Sequence, residues 1–175
     1  IELTPELSWE VVPRLSESVF LKGLVTNDTE FTFLPGDMNL FVGDSFIGTS
    51  TIEMINPNQE FSLNLGRDPR IQAQFKLDNL EKGTRLKKKY EKRRYVTSIE
   101  NNSGKDITIR VKDTVPRSLY PKKMVVSILM ISPEQSEIEQ GSIYSWDLEI
   151  AEGKTATVTS EWEIEYPQEL QVEGL

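Results

Sequence analysis

The stretch Ala156-Thr157-Val158-Thr159-Ser160-Glu161-Trp162-Glu163-Ile164-Glu165-Tyr166 decides how this chain folds. Ala156, Val158, Ser160, Trp162, Ile164 and Tyr166 fall on one side, and Glu161, Glu163 and Glu165 on the other. A period of two is the geometry of an extended strand, whose successive side chains point to opposite faces. The segment therefore predicts a half-buried strand with an aromatic and aliphatic inner row.

Working outward, Ile107, Ile109 and Val111 alternate with Thr108, Arg110 and Lys112, and Trp146, Leu148 and Ile150 with Asp147 and Glu149. Both predict antiparallel strands with one wet face. Val125 to Ile131 is apolar on both sides except for Ser127, which predicts a central strand. In the first half, Phe61, Leu63 and Leu65 form one alternating row and Ile71, Ala73, Phe75 and Leu77 another, separated by the turn residues Gly66-Arg67-Asp68-Pro69. Trp9 to Val12, Val19 to Thr26, Leu40 to Val42 and Gly48 to Ile55 complete the set. Helical stripes are scarce, and no collagen, heptad or solenoid repeat stands out.

Short strands separated by frequent turn signals predict an all-β chain of antiparallel β-sandwich architecture. The expected organisation is two apposed β subdomains: residues 1–81, a basic extended connection or hairpin at 82–94, and an immunoglobulin-like sandwich at 95–175. A hairpin is expected to turn at Asn101-Asn102-Ser103-Gly104.

The chain has no cysteine and no histidine. It therefore lacks thiolate and imidazole ligands, the usual zinc donors, and the histidine of a serine–histidine–carboxylate triad. No apolar run approaches the length of a membrane-spanning helix. No secretory n-region and h-region open the chain, and its start at Ile1 suggests a processed chain or an excised domain. A soluble, cytoplasmic location without a cofactor is the expectation.

Charge is segregated. The formal net charge is −8, yet Lys82, Arg85, Lys87, Lys88, Lys89, Lys92, Arg93 and Arg94 oppose only Glu91 within 82–94. Such a run can meet phosphate, an anionic membrane surface or an acidic partner. It can equally answer the acidic surface of its own chain. Tyr90 and Tyr95 interleave with the cations, but the acidic remainder opposes nucleic-acid binding. Residues 134–175 carry eleven carboxylates against Lys154 and could dock on the basic run of another copy.

Asp37, Asp44, Glu53, Asp68 and Asp113 sit near turns or strand ends. A carboxylate-dependent hydrolase or carbohydrate-active domain would need two of them at a fixed separation across a cleft, which spacing does not supply. The glycines do not compose a phosphate-binding loop. Asn27-Asp28-Thr29 and Asn101-Asn102-Ser103 match the glycosylation sequon. Trp146 and Trp162 are expected in the core. Phe41 and Phe46 bracket Val42-Gly43-Asp44-Ser45, where an aromatic hairpin tip would serve protein binding. The candidate interaction residues are Phe41, Phe46, Lys87, Lys88, Lys89, Lys92, Arg93 and Arg94.

An ordered series of motifs adds to this reading. Trp9, Phe20-Leu21-Lys22-Gly23-Leu24-Val25-Thr26-Asn27, Leu34-Pro35-Gly36-Asp37 through Gly48, Ile55-Asn56-Pro57 and Phe61 through Pro69 come first. Tyr95 through Asn102, Asp113-Thr114-Val115-Pro116-Arg117-Ser118, Trp146 and Glu165-Tyr166-Pro167 follow. The series resembles the C-terminal domain of mucoidy-inhibitor-A-like proteins, with Asn58 and Arg67 as mild departures. The resemblance implies an all-β region at the end of a longer protein that has a coiled-coil middle, and no known reaction. The partners it implies are a protein, the upstream coiled coil of the same protein, or a second copy.

Overall fold

The computed structural model describes residues 3, 5–42, 45–139 and 143–170. Twelve strands and no helix occur among them. They are β1 (Glu6–Val12), β2 (Ser16–Thr26), β3 (Gly36–Val42), β4 (Ser45–Ile52), β5 (Glu60–Arg67) and β6 (Ile71–Arg85). The rest are β7 (Lys88–Asn101), β8 (Ile107–Thr114), β9 (Val125–Ser132), β10 (Glu137–Glu139), β11 (Ile143–Ile150) and β12 (Thr155–Pro167).

Three sheets result. The largest has the order β10-β11-β8-β1-β2-β5, the second β6-β7-β12-β9, and β3 pairs with β4 alone. Every pairing is antiparallel except β1 with β8, where Trp9, Val11 and the residue between them run beside Ile109 to Val111. The two larger sheets face one another across one apolar layer, making a β-sandwich. Trp9, Val11, Ile109, Val111 and Trp146 come from one side, and Ile71, Tyr95, Ile99, Trp162 and Ile164 from the other. Alternation drives this, since each strand sends its apolar row inward and its polar row to water. A smaller cluster of Val25, Leu40 and Leu63 packs the inner face of the β3–β4 pair against β2 and β5.

The expected strand at 156–166 is β12, with Val158, Trp162 and Ile164 buried. Two other expectations are corrected. Val125–Ile131 lies in β9, at the edge of its sheet and not at its centre. The turn at 101–104 crosses between sheets instead of closing a hairpin, because β7 and β8 belong to different ones. The expected boundary after residue 81 falls inside β6, and strands from both sides of it share the six-stranded sheet.

A repeat hidden from composition emerges in the hydrogen bonds. The antiparallel series β1-β2-β5 recurs as β6-β7-β12. At the end of β2, the Asn27 amide N–H donates to the Gln59 carbonyl (3.0 Å), and its own carbonyl accepts from Asn58 (2.7 Å). At the end of β7, Asn101 donates to Lys154 (3.0 Å) and accepts from Gly153 (2.8 Å). Asn58 and Gly153 take matching left-handed φ values of 62° and 66°. The second copy carries the longer insertion, including β9 and β10, between β8 and β11.

Candidate functional site

Phe41 and Phe46 meet where the β3–β4 ladder approaches its turn. Their rings pack edge to face with centroids 5.5 Å apart, yet they are 60% and 59% exposed. Edge-to-face geometry suits the aromatic quadrupole, so the rings hold one another in place while most of their surface still faces water. Gly43 and Asp44 lie outside the described residues. Leu40 anchors the ladder's inner side, leaving the aromatic pair as its outward feature.

The basic run forms the distal half of the β6–β7 hairpin. Opposing strands bring carboxylates beside most of its cations. Lys82 pairs with Glu91 (2.8 Å), Arg85 with Glu163 (3.1 Å), Lys88 with Glu165 (3.6 Å) and Lys92 with Glu161 (2.7 Å). Arg93 pairs with Glu91, and Arg94 with Glu161 (3.0 Å). The antiparallel register of β7 against β12, with Glu161 beside Arg94 and Glu163 beside Lys92, explains why the glutamates of β12 find these partners. Lys87 and Lys89 make no ion pair among the described residues. Lys87 occupies the two-residue turn with Leu86, which is 99% exposed.

The buried carboxylates are likewise partnered. Asp68 accepts from the Arg70 guanidinium at 2.8 Å through both oxygens and from the Trp9 indole N–H at 3.1 Å. The Arg70 hydrogen bonds, opposed by burial and aided by Trp9, bring its pKa down to about 2. Burial pushes Glu91 up, but Lys82 and Arg93 outweigh it and hold the group below its ordinary value. Lys92 and Arg94 do the same for Glu161, with Lys92 contributing most. Asp113 receives the Arg14 fork and the Thr114 amide N–H. Of the remaining acidic candidates, Asp37 accepts from Thr51 at 3.4 Å, Glu53 is exposed, and Asp44 lies outside the described residues. Among the described residues, no three acidic side chains gather into a metal-binding group.

The two sequon asparagines are structural. Asn27 and Asn101 are each 0% exposed. The Asn27 amide donates to the carbonyls of Phe31 (2.8 Å) and Ile55 (3.3 Å), and that of Asn101 to those of Lys105 (2.8 Å) and Ile150 (2.9 Å). In both, the hydroxyl two residues on, from Thr29 or Ser103, donates back to the asparagine oxygen at 2.7 Å. The side-chain nitrogen that would carry a glycan is therefore spent on the fold. Sequence reasoning missed this equivalence; the shared Asn-x-[Ser/Thr] pattern after a strand was its only signal.

No helix of the described residues is long and apolar enough to cross a membrane. Residues 5–168 match the family model described as a domain of unknown function (DUF4139). The chain is also similar to Protein F37C4.5 of Caenorhabditis elegans, 22% identical over 186 residues covering 97% of this chain and 33% of that protein. The chain thus spans about a third of that relative's length. No solved structure matches it.

Proposed function

Because the chain belongs to this domain family of unknown function, the one linked to mucoidy-inhibitor-A-like proteins, we propose that it acts as a noncatalytic β domain making protein–protein contacts within a longer chain. The observation that carries this is the paired, exposed Phe41 and Phe46 on a two-stranded ladder seated on the sandwich. An aromatic pair ordered before binding loses little rotamer freedom on contact, and aromatic anchors dominate interface energetics. Asp68, Glu91, Asp113 and Glu161 each have an Arg or Lys partner, which supports structural roles for these carboxylates. The ion pairs along 82–94 support a basic run directed mainly at its own sheet.

The finer reading of the fold belongs with this proposal. Two β subdomains, the second immunoglobulin-like, are supported by the recurring β1-β2-β5 and β6-β7-β12 series. Those series would divide the chain at the 68–70 turn. The partner class is a protein or the upstream coiled coil of the same parent chain.

The test is affinity capture with the full-length parent, compared with its Phe41→Ser/Phe46→Ser form. The reading expects at least one partner to be lost while the fold is retained. Retention of every partner defeats it.

A further inference from the structure

The ion pairs do not use the whole basic run. Lys87 and Lys89 have no carboxylate partner among the described residues, and Leu86 beside them is almost wholly exposed at a left-handed φ of 46°. A leucine there gains no burial and sits in a conformation that asparagine and glycine fill more readily. An apolar residue kept where it disfavours folding points to a use outside the fold.

A second segment repeats that composition at the same end of the four-stranded sheet. The register sets Tyr90 and Val125 on either side of Glu165, so the β6–β7 turn and the segment entering β9 both lie beyond that level. In this segment, 115–124, Leu119 is 86% and Tyr120 70% exposed. Arg117, Lys122 and Lys123 are exposed too, without an ion pair among the described residues. The segment is held from below: Val115 is buried in the core with Met124 packed against it, and the Tyr120 carbonyl accepts from the Lys123 and Met124 amides, each at 2.9 Å. Glu169, just past β12, is an unpaired carboxylate at the same end, outnumbered by these five cations.

We propose that this end of the sheet rests on an anionic lipid surface. Leu86, Leu119 and Tyr120 enter the headgroup layer, and Lys87, Lys89, Arg117, Lys122 and Lys123 meet the lipid anions. Isolated apolar points flanked by cations suit a bilayer interface, which closes around any projection, whereas a protein partner would need a matching pocket for each. The chain's net charge of −8 would oppose this if its acidic residues came within reach of the lipid. β6 and β7 are 15 and 14 residues long, about 45–50 Å at strand rise, so an end-on pose holds most carboxylates beyond the Debye length of about 8 Å. Glu163 and Glu165, near the end of β12, are already paired with Arg85 and Lys88.

Flotation of the 175-residue chain with vesicles of equal parts phosphatidylserine and phosphatidylcholine tests this, with circular dichroism confirming the fold of each variant. Binding is expected at low salt, weaker as salt rises and absent with phosphatidylcholine alone. Each cation at such a surface supplies about fivefold, so Lys87→Ser/Lys122→Ser should weaken partitioning about twentyfold. Leu86→Asn/Leu119→Asn, which keeps every charge, should weaken it about tenfold. Lys154→Ser removes a cation at the opposite end, in the turn before β12, and should leave binding unchanged. Absence of vesicle binding overturns the proposal, as does binding indifferent to the leucine substitutions or weakened by Lys154→Ser. A chain that binds polyglutamate and not vesicles also overturns it, in favour of an acidic protein partner.

Discussion

Arg14 and Asp113, 99 residues apart in the chain, close a two-pronged ion pair at 2.7 and 3.1 Å. The guanidinium also lies over the rings of Phe75 and Tyr95, 4.9 and 4.5 Å from their centroids. Those rings are stacked on each other with centroids 5.1 Å apart. One side chain from the β1–β2 turn thus binds the end of β8 and an aromatic face of the opposing sheet. Burial lowers the Arg14 pKa, but the Asp113 bonds outweigh it and leave it raised.

Removing one partner of that pair should be costly. Arg14→Ala leaves Asp113 buried without its cation, and a loss of about 2–3 kcal/mol is expected in urea denaturation, less than for a fully enclosed pair because Arg14 is partly exposed. Arg14→Gln/Asp113→Asn should recover part of it. A loss below about 0.5 kcal/mol would reduce the pair to a surface contact.

Asp68 predicts an acid limb. Its folded pKa, about 2, lies below its ordinary 3.8, so its contribution is present above about pH 4 and disappears as pH falls toward 2. The shift corresponds to about 2 kcal/mol. Asp68→Asn should lower stability at pH 7 by about that amount and flatten the curve between pH 4 and 2. An unchanged slope in pH-dependent denaturation would contradict the assignment.

Asn101→Ala removes two donations to backbone carbonyls and the acceptor for Ser103. Stranding buried acceptors makes the expected loss about 2–4 kcal/mol, whereas Ser103→Ala should cost about 1 kcal/mol. Asn27→Ala should act in the same direction, since its hydrogen-bond scheme is the same. Thermal or urea unfolding of the three variants checks the ranking.

The hairpin tip is open to improvement. Leu86 and Lys87 adopt φ values of 46° and 65°, a left-handed pair that β-branched and long side chains disfavour. Leu86→Asn/Lys87→Gly fits the turn's preference and should raise stability by about 1 kcal/mol. A higher urea midpoint at unchanged slope is the expected signature.

Trp162→Ala should be the most damaging of the single core truncations, because the indole is 1% exposed and stacks near Tyr95 at 6.2 Å. The expected loss is about 3–5 kcal/mol. A small loss by calorimetry would place the side chain outside the core.

The inner rows were readable because alternation is local. Val158, Trp162 and Ile164 declare their face within one strand, as do Ile107, Ile109 and Val111. Pairing partners are not local. β1 beside β8 depends on residues about a hundred positions apart, and no pattern in either strand names the other. The basic run showed its sign but not its neutralisation, since Glu161, Glu163 and Glu165 reach it only across the β7–β12 ladder. Val125–Ile131 looked central because apolar residues on both faces usually mean two covered faces; here they accompany a free edge. The sequons matched a surface motif by composition, although their amides bridge buried backbone.

The parallel register of β1 against β8 ties the two recurring strand series into one sheet. Cutting the chain near residues 68–70 would strip β8 of one of its two neighbours and leave β1 with a bare flank, so neither piece would inherit a finished sheet. A cut there would separate strands that share one sheet and expose backbone hydrogen-bonding groups on both pieces.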